Sequence, residues 1–224
     1  MSVPFVVILD FDGTITTSDL VVALTTRVHD ANRDIVNKVN RRELEPRTGL
    51  NILFSHLPSR DRQLYEEYLR HLARFRSGYH RFSAVLKDSH IPFYIVSNGL
   101  DFMLDAVLGP TPEDGPWRIC NKARFDQPSI TIEWQYPCQD PCPGGCGLCK
   151  YQVVTELRER HAAPVVYVGD DITDVNGAKH ADRIYARGLL AQMLGQDGVG
   201  YTQFDTFDDI LSDLFTVTEV INND

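Results

Sequence analysis

Two patterns of hydrophobic residues divide the chain. Short, almost uninterrupted apolar runs occur at residues 5–9, 93–96, 165–168 and 184–186. Runs of this length, bounded by turn-forming residues, are typical of strands that are buried on both faces of a parallel sheet. Between the runs, apolar residues recur every three or four positions, which is the spacing of helices that bury one side. The chain is therefore predicted to alternate strands with helices.

Residues 17–78 show only the helical spacing, so this segment is predicted to be a helical insertion after the first strand. Ser18 is expected to begin a helix that runs to about residue 29, and Ser59 one that runs to residue 76, because a serine hydroxyl accepts a hydrogen bond from the first turn of a helix. The residues expected to face inward on the second helix are Leu64, Tyr68, Leu72 and Phe75.

From residue 79 onwards, helices and strands alternate. Helices are predicted at residues 79–89, 101–108, 150–161, 173–179, 189–194 and 207–215. Two β segments, 119–125 and 130–134, are expected to form a hairpin around residues 127–129, after a loop rich in proline and glycine at 110–116. This order favours an α/β fold with a Rossmann-like, doubly wound parallel sheet. Residues 1–16 and 79–224 would form the core, and the helical cap would span 17–78.

Composition narrows the range of partners. The chain has 224 residues, of which 43% are hydrophobic and 24% are charged, as in ordinary globular domains. The formal net charge of −9 argues against nucleic acid or an anionic membrane as the main partner. We find neither a secretory signal nor the roughly 20 apolar residues that span a membrane. A cytoplasmic location is expected, and structural disulfides are rare there.

Polar residues follow several of the predicted strands. Asp10 and Asp12 come directly after the first strand, Ser97 follows the second, and an acidic cluster at 169–174 follows the third, while Lys150 opens a helix. In open parallel sheets, ligands bind beyond the carboxyl ends of the strands, so these groups are expected to meet there. Adjacent carboxylates repel one another unless a cation binds between them, and Mg²⁺ prefers such oxygen ligands.

These groups are the ones that phosphoryl transfer requires. One carboxylate can attack phosphorus, and a second can protonate the leaving group and then activate water. The hydroxyl of Ser97 and the backbone amides of Asn98 and Gly99 can donate to phosphate oxygens. Lys150 can supply a positive charge that the nucleophile and the phosphate share. The expected partner is therefore a small phosphorylated metabolite.

The segments 10–16, 97–99 and 169–174, together with Lys150, resemble the four motifs of the haloacid dehalogenase superfamily and occur in the same order. The helical insertion after the first motif is similar to the C1 cap of the superfamily's phosphoserine-phosphatase branch. The resemblance implies a Mg²⁺-dependent phosphomonoesterase that works through an aspartyl-phosphate.

The resemblance also implies a role for each acidic residue. Asp10 would be the nucleophile, and Asp12 the acid and base that also offers its backbone carbonyl to Mg²⁺. Asp10 and Asp170 would bind Mg²⁺ through their carboxylates. Asp174 would support the metal through water or hold Lys150, which, together with Ser97, would bind phosphate.

Three further features resemble a subfamily of methionine-salvage phosphatases. They are residues 91–102, the cysteine-rich loop that runs into Lys150, and the pair Ala186 and Arg187 after the last strand. The resemblance implies an enol phosphate of that pathway as substrate. Two alternatives remain open: a phosphoserine-type phosphatase or phosphotransferase acting on another metabolite, and a phosphate- or metal-binding module without turnover.

Four of the five cysteines are clustered just before Lys150. Cys138, Cys142, Cys146 and Cys149 have spacings that permit a tetrahedral structural zinc site. An iron–sulfur cluster and a reduced loop without metal are the alternatives. Cys120 lies in a predicted β segment and is expected to be a core residue.

A few charged residues have roles that the sequence leaves open. Arg41, Arg42 and Arg47 lie in the insertion, where they either reach an anionic end of the substrate or form a solvated helix face. Asp171 adds a carboxylate where the superfamily often has serine or glycine.

Overall fold

The protein forms a seven-stranded sheet in the order β4-β3-β2-β1-β5-β6-β7. The computed structural model describes residues 3–111, 117–140, 142 and 144–221. Only the pair β3 and β4 is antiparallel, and the other neighbouring strands are parallel. The strands are β1 (Val6–Leu9), β2 (Phe93–Leu100), β3 (Trp117–Arg124), β4 (Thr131–Glu133), β5 (Val165–Gly169), β6 (Arg183–Ala186) and β7 (Thr202–Gln203).

Ten helices flank the sheet or form the insertion in the described part of the chain. They are α1 (Leu20–Val28), α2 (Asn32–Asn40), α3 (Pro46–Ser55), α4 (Arg62–Leu72), α5 (Tyr79–Asp88), α6 (Asp101–Leu108), α7 (Lys150–His161), α8 (Val175–Ala178), α9 (Gly188–Gln196) and α10 (Phe207–Ile221). None of the helices that the structure describes is both long enough and apolar enough to cross a membrane.

The central strand is apolar on both faces because both faces are covered. Val7 and Leu9 pack into a cluster that also contains residues of α1, α4, α5, α6 and α10. Val6 and Ile8 pack into a second cluster with residues of α7, α8 and α9. This two-sided burial explains why the strand has a continuous apolar sequence instead of an alternating one. The predicted doubly wound α/β fold is confirmed.

The chain reverses its direction of winding at β1. After β1 it proceeds through β2 and β3 on one side, and it later returns to build β5, β6 and β7 on the other. Leu9 lies beside Ile95 of β2 and Val168 of β5. The residues that follow these three strands therefore meet at one edge of the sheet, at the topological switch point where open α/β sheets bind their ligands.

The insertion leaves and rejoins the core through two adjacent segments. The backbone N–H of Arg76 donates to the carbonyl of Ile15 at 2.8 Å, and that of Thr17 donates to the carbonyl of Arg74 at 2.8 Å. The buried apolar residues of the insertion, such as Phe54, belong to the same cluster as one face of the sheet. The insertion and the core therefore share a continuous apolar interior.

Several predicted boundaries in the insertion are wrong by a few residues. Helix α1 is capped by Asp19, whose carboxylate accepts from the Val22 N–H at 2.8 Å, and not by Ser18. Ser59 instead begins a short helical turn ahead of α4, and its hydroxyl makes no capping hydrogen bond. Leu64 is 62% exposed because α4 turns Tyr65 and Leu69 towards the core.

Elsewhere the differences are smaller. The apolar run predicts a strand that ends at Val96, but β2 continues to Leu100, with a shift of register against β3 after Val96. Strand β7 was not predicted, because a strand of two residues is too short to show an alternating pattern of apolar and polar residues. The hairpin of β3 and β4 is confirmed. Of the predicted loop at 110–116, residues 112–116 lie outside the described part of the chain.

Arg76 offers a test of how the segment after β1 is held. Its Nε donates to the Thr14 carbonyl at 2.8 Å, its Nη2 donates to the Gly13 carbonyl, and the residue is 7% exposed. Arg76→Leu should lower the free energy of unfolding by about 2–3 kcal/mol, because two buried carbonyls lose a charged donor. Urea denaturation measures the change.

Arg74→Leu is the matched control, because Arg74 is exposed and hydrogen-bonds only to nearby carbonyls of its own segment. It should change the free energy of unfolding by no more than about 0.5 kcal/mol. Equal losses in the two variants would show that the buried hydrogen bonds of Arg76 do not stabilise the fold.

Candidate functional site

A cavity of about 90 Å³ opens at the switch point of the sheet. Its floor is polar and consists of residues that follow β1 and β5 and of residues near the end of β2. Its opposite wall consists of residues from α1, α2 and α3. The floor residues are Asp10, Asp12, Ser97, Asn98, Gly99, Asp171 and Thr173. The structure therefore brings together side chains that lie more than a hundred residues apart in the sequence.

The ammonium group of Lys150 joins two carboxylates beneath the cavity. Its Nζ donates to Asp10 Oδ1 and to Asp174 Oδ1, each at 2.5 Å, and all three residues are buried. Burial opposes the charge of Lys150, but the attraction of the two carboxylates outweighs it and raises the pKa of Lys150 above its ordinary value. Lys150 is therefore charged at neutral pH and fixes the position of Asp10.

Asp174 organises the loop after β5. Besides Lys150, its Oδ1 accepts from the Tyr167 hydroxyl at 2.7 Å, and its Oδ2 accepts from the backbone N–H groups of Asp170 and Asp171 at 3.0 Å each. Both carboxylate oxygens are thus occupied by donors from the protein. The expectation that Asp174 holds Lys150 agrees with this geometry.

Asp170 hydrogen-bonds to the segment that follows β1. Its Oδ1 accepts from the Thr14 hydroxyl at 2.7 Å. Gly13 has a φ of +80°, and a Cβ at this position would lie 2.2 Å from Asp170 Oδ2. Glycine is required here both for the left-handed backbone and for the space that the carboxylate occupies.

The three carboxylates form a cluster that suits a hard divalent cation. One oxygen each of Asp10, Asp170 and Asp174 lies within 4.8 Å of the others. Burial, followed by the charge of Asp174, raises the pKa of Asp10 well above its ordinary range and that of Asp170 to about 7, and Lys150 offsets only part of this rise. The excess of negative charge and the oxygen donors fit Mg²⁺.

Asp12 faces the cavity instead of this cluster. Its Oδ1 accepts from the Leu20 N–H at 2.9 Å at the start of α1. Burial, together with the nearby charge of Asp19, raises the pKa of Asp12 well above its ordinary value. A carboxyl group with a raised pKa can hold a proton near neutral pH and donate it to a ligand.

The segment after Val96 presents a mixed set of donors. The backbone N–H of Gly99 donates to Ser97 Oγ at 2.9 Å, so this amide is engaged within the protein. Asn98 Oδ1 accepts from the Leu148 N–H at 2.7 Å, whereas Asn98 Nδ2 is buried and has no partner among the described residues. A buried donor without a partner beside the cavity is suited to an anion.

The wall of the cavity opposite the acids is apolar. The hydrophobic residues that form it are Val21, Val22, Val36, Val39, Pro46, Leu50 and Leu53. No lysine or arginine is among the described residues that line the cavity. Arg42 instead contacts Met193, and Arg47 stacks over Trp134 at 5.2 Å.

The four clustered cysteines lie beside the cavity and outside it. The Sγ atoms of Cys138, Cys142 and Cys146 lie within 4.8 Å of one another, and Cys149, which is outside this group of three, directly precedes α7. Cys120 is partly buried and packs against the main apolar cluster, as predicted.

Sequence reasoning missed several residues of the site. Tyr167 was treated as part of an apolar strand, although a buried tyrosine hydroxyl needs a partner and could have been flagged on that ground. Thr14 follows the two acids directly and was not assigned. Asp19 and Leu50 line the cavity only because the insertion folds over the sheet, so no pattern in the sequence marked them.

Comparison with solved structures supports the fold. A phospho-aspartyl intermediate analogue of phosphoserine phosphatase aligns over 95% of this chain and 99% of its own, with a TM-score of 0.69 and 16% identity. A substrate-bound phosphoserine phosphatase aligns over 95% and 98%, with a TM-score of 0.71 and 15% identity. At such identities the likeness establishes the fold alone.

Sequence comparison gives nearer relatives. The 2-hydroxy-3-keto-5-methylthiopentenyl-1-phosphate phosphatase of Bacillus cereus (strain B4264) is 33% identical over 96% of this chain and 97% of its own length. The protein of the same name from Bacillus thuringiensis (strain Al Hakam) is 32% identical over the same shares. No family model matches the chain.

Gly13 allows a test of the cation site that is separate from any activity. A cation that binds only the folded protein raises its melting temperature, by the equivalent of about 2.7 kcal/mol at 100 times its Kd. In Gly13→Ala the new methyl group displaces the Asp170 carboxylate, so the increase caused by Mg²⁺ should disappear. Differential scanning calorimetry with and without Mg²⁺ measures this increase in melting temperature.

Gly109→Ala is the control, because Gly109 has a similar φ of +73° but no atom within 4 Å of an added Cβ. Both variants should lose about 1–3 kcal/mol from backbone strain, but only Gly109→Ala should keep the response to Mg²⁺. A full Mg²⁺ response in Gly13→Ala would mean that Asp170 does not bind the cation.

Proposed function

Because the chain belongs to the family of 2-hydroxy-3-keto-5-methylthiopentenyl-1-phosphate phosphatases, we propose that it hydrolyses a phosphate monoester of a small metabolite. The proposed substrate is the methionine-salvage compound for which the family is named. The observation that carries the proposal is the position of Asp10, which Lys150 holds at the floor of an open cavity with Asp12 beside it. This is the arrangement that an aspartyl-phosphate mechanism needs.

In the first step, a carboxylate oxygen of Asp10 attacks phosphorus, and the bond between phosphorus and the ester oxygen breaks. Asp12 donates its proton to that oxygen as it leaves, and the raised pKa of Asp12 suits this role. In the second step, Asp12 takes a proton from a water molecule, which attacks phosphorus. The bond between phosphorus and the Asp10 oxygen breaks, and inorganic phosphate is released. Asp10 and Asp12 then return to their initial states.

The donors around the cavity would bind the phosphate. Lys150 neutralises part of the charge that Asp10 and the phosphate bring together. The Ser97 hydroxyl and the unpartnered Nδ2 of Asn98 are side-chain donors on residues that line the cavity floor. The Gly99 amide contributes indirectly, because it orients Ser97.

Mg²⁺ would be held by the carboxylates of Asp10 and Asp170 and by the backbone carbonyl of Asp12. When bound, it would neutralise charge on the phosphate oxygens and on the carboxylate cluster. Asp174 has no free carboxylate oxygen. Asp174 would therefore support the site by orienting Lys150 and the backbone of Asp170.

We assign the choice of substrate to the cap, residues 17–78, and the chemistry to the core, residues 1–16 and 79–224. The apolar wall that the cap contributes suits a methylthio-alkyl tail, which is uncharged and hydrophobic. Phosphoserine would bring an additional carboxylate, and the described residues lining the cavity offer it no arginine or lysine. The cavity thus favours the family substrate over an amino-acid phosphate.

A panel of phosphorylated metabolites, assayed with and without Mg²⁺, tests the proposal. We expect the highest kcat/KM for the methylthiopentenyl phosphate, a value for phosphoserine that is lower by about 100-fold or more, and no activity after chelation. Higher activity on phosphoserine would refute the substrate assignment. Absence of phosphatase activity on every compound would support the alternative of a binding module.

Asp10→Asn tests the covalent mechanism. The variant should lose at least about 10³-fold in kcat, because removing a nucleophile leaves little beyond the effects of binding. Rapid quenching followed by intact-mass spectrometry should detect one phosphoryl adduct on the wild-type protein and none on the variant. Asp126→Asn, at an exposed position, is the control and should behave like the wild type. A variant that kept a tenth of the rate would exclude Asp10 as the nucleophile.

Leu50→Asn tests the apolar wall with little change in side-chain size. We expect KM for the methylthiopentenyl phosphate to rise by about 10- to 100-fold, because the tail loses a hydrophobic contact. KM for glycerol phosphate, which has no tail, should change little. Leu64→Asn is the control, since Leu64 lies on the exposed side of α4 in the same insertion. Equal changes for both substrates would place the tail elsewhere.

A further inference from the structure

The loop before α7 places thiol groups at the spacing of metal ligands. Cys142 Sγ and Cys146 Sγ are 3.9 Å apart, and Cys138 Sγ lies within 4.8 Å of both. Four sulfur atoms at about 2.3 Å from a tetrahedral zinc ion lie about 3.8 Å from one another. A disulfide would need a separation of about 2.05 Å, and all five cysteines are free. The spacing is therefore that of ligands around a common centre.

Cys149 provides a fourth thiol in the same loop. Its thiol interacts with those of Cys138 and Cys142, although it lies outside the group of three whose Sγ atoms are all within 4.8 Å of one another. Cys149 directly precedes the first turn of α7. Asn176 Nδ2, a hydrogen-bond donor, lies 3.6 Å from Cys146 Sγ. Donors directed at sulfur stabilise the thiolate form that binds metal.

We propose that Cys138, Cys142, Cys146 and Cys149 bind one zinc ion that has a structural role. Four thiolates fill a tetrahedral shell, so no position remains for a substrate or a reactive water molecule. Soft sulfur ligands select zinc over Mg²⁺, which prefers oxygen. Each thiol gives up its proton when the metal binds. The site is thus chemically separate from the carboxylate cluster.

The contacts of this loop indicate what the metal would stabilise. The carbonyl of Gly145 accepts from the Arg47 N–H of the insertion at 2.9 Å. The N–H of Leu148 donates to Asn98 Oδ1 at 2.7 Å, at the floor of the cavity. Cys149 is followed directly by Lys150. One short loop therefore contacts the insertion, the phosphate-binding segment and the helix that carries Lys150. By fixing the conformation of this loop, zinc would stabilise all three contacts.

Metal analysis tests the site without reference to phosphatase activity. Protein purified without chelators should contain about one equivalent of zinc per chain, and Cys142→Ser should contain less than about a tenth. Cys120→Ser is the matched control and should retain the full content, because Cys120 lies in β3, away from the cluster. Replacement of zinc by Co²⁺ should give the intense thiolate-to-cobalt absorption of a tetrahedral site, and Cys142→Ser should lose it.

The same variants distinguish a structural role of the zinc ion from a catalytic one. Cys142→Ser should lower the melting temperature and kcat, while the Mg²⁺ concentration that gives half-maximal activity stays within about twofold of wild type, because the carboxylate cluster is separate. Zinc below about a tenth of an equivalent in the wild type, together with no cobalt absorption, would overturn the proposal. So would iron in place of zinc or a disulfide within the cluster. None of these results would bear on whether the protein is a phosphatase.

Discussion

The ion pairs of the buried ammonium group of Lys150 are the interaction on which the site depends. Without Lys150, the carboxylates of Asp10 and Asp174 would lie close together in the protein interior with no compensating charge, which costs several kcal/mol. With it, both are held in fixed positions by short hydrogen bonds. Because Asp174 in turn binds the backbone of the loop after β5, the position of Asp170 depends on Lys150 as well.

The single positive charge of Lys150 nevertheless does not balance the negative charges of the carboxylates around it. The carboxylates of Asp10 and Asp174 bind this one cation, that of Asp170 lies in the same cluster, and burial raises the pKa values of Asp10 and Asp170. The negative charge of the cluster therefore exceeds the positive charge of Lys150, which favours the binding of a further cation. The Asn98 Nδ2 group, which has no partner among the described residues, belongs to a residue that lines the neighbouring cavity. An excess of negative charge and an unpartnered hydrogen-bond donor thus lie at one site.

The sequence was sufficient for the parts of the fold that a local pattern encodes. Apolar runs marked the strands, and the parallel register then brought Asp10, Ser97 and Asp170 to one edge. The first and last residues of α7, the helix that begins at Lys150, agree with the prediction. The predictions that were wrong concern features set by contacts with other elements. Strand β2 continues past Val96 because β3 pairs with it. Leu64 is exposed because α4 packs against α6 with other residues. The apolar wall of the cavity is likewise set by packing between elements distant in sequence.

The position of β1 in the middle of the sheet also affects how the protein is made. This strand leaves the ribosome before β2 and β5, the two strands that flank it at residues 93–100 and 165–169. Until they emerge, an apolar segment that belongs at the centre of the molecule has nothing to pair with, and the 62 residues of the insertion (17–78) lengthen that interval. Long-range pairing of this kind slows folding and exposes hydrophobic surface meanwhile. The strand that precedes Asp10 is thus synthesised before both of the strands that pair with it and stays unpaired until they emerge.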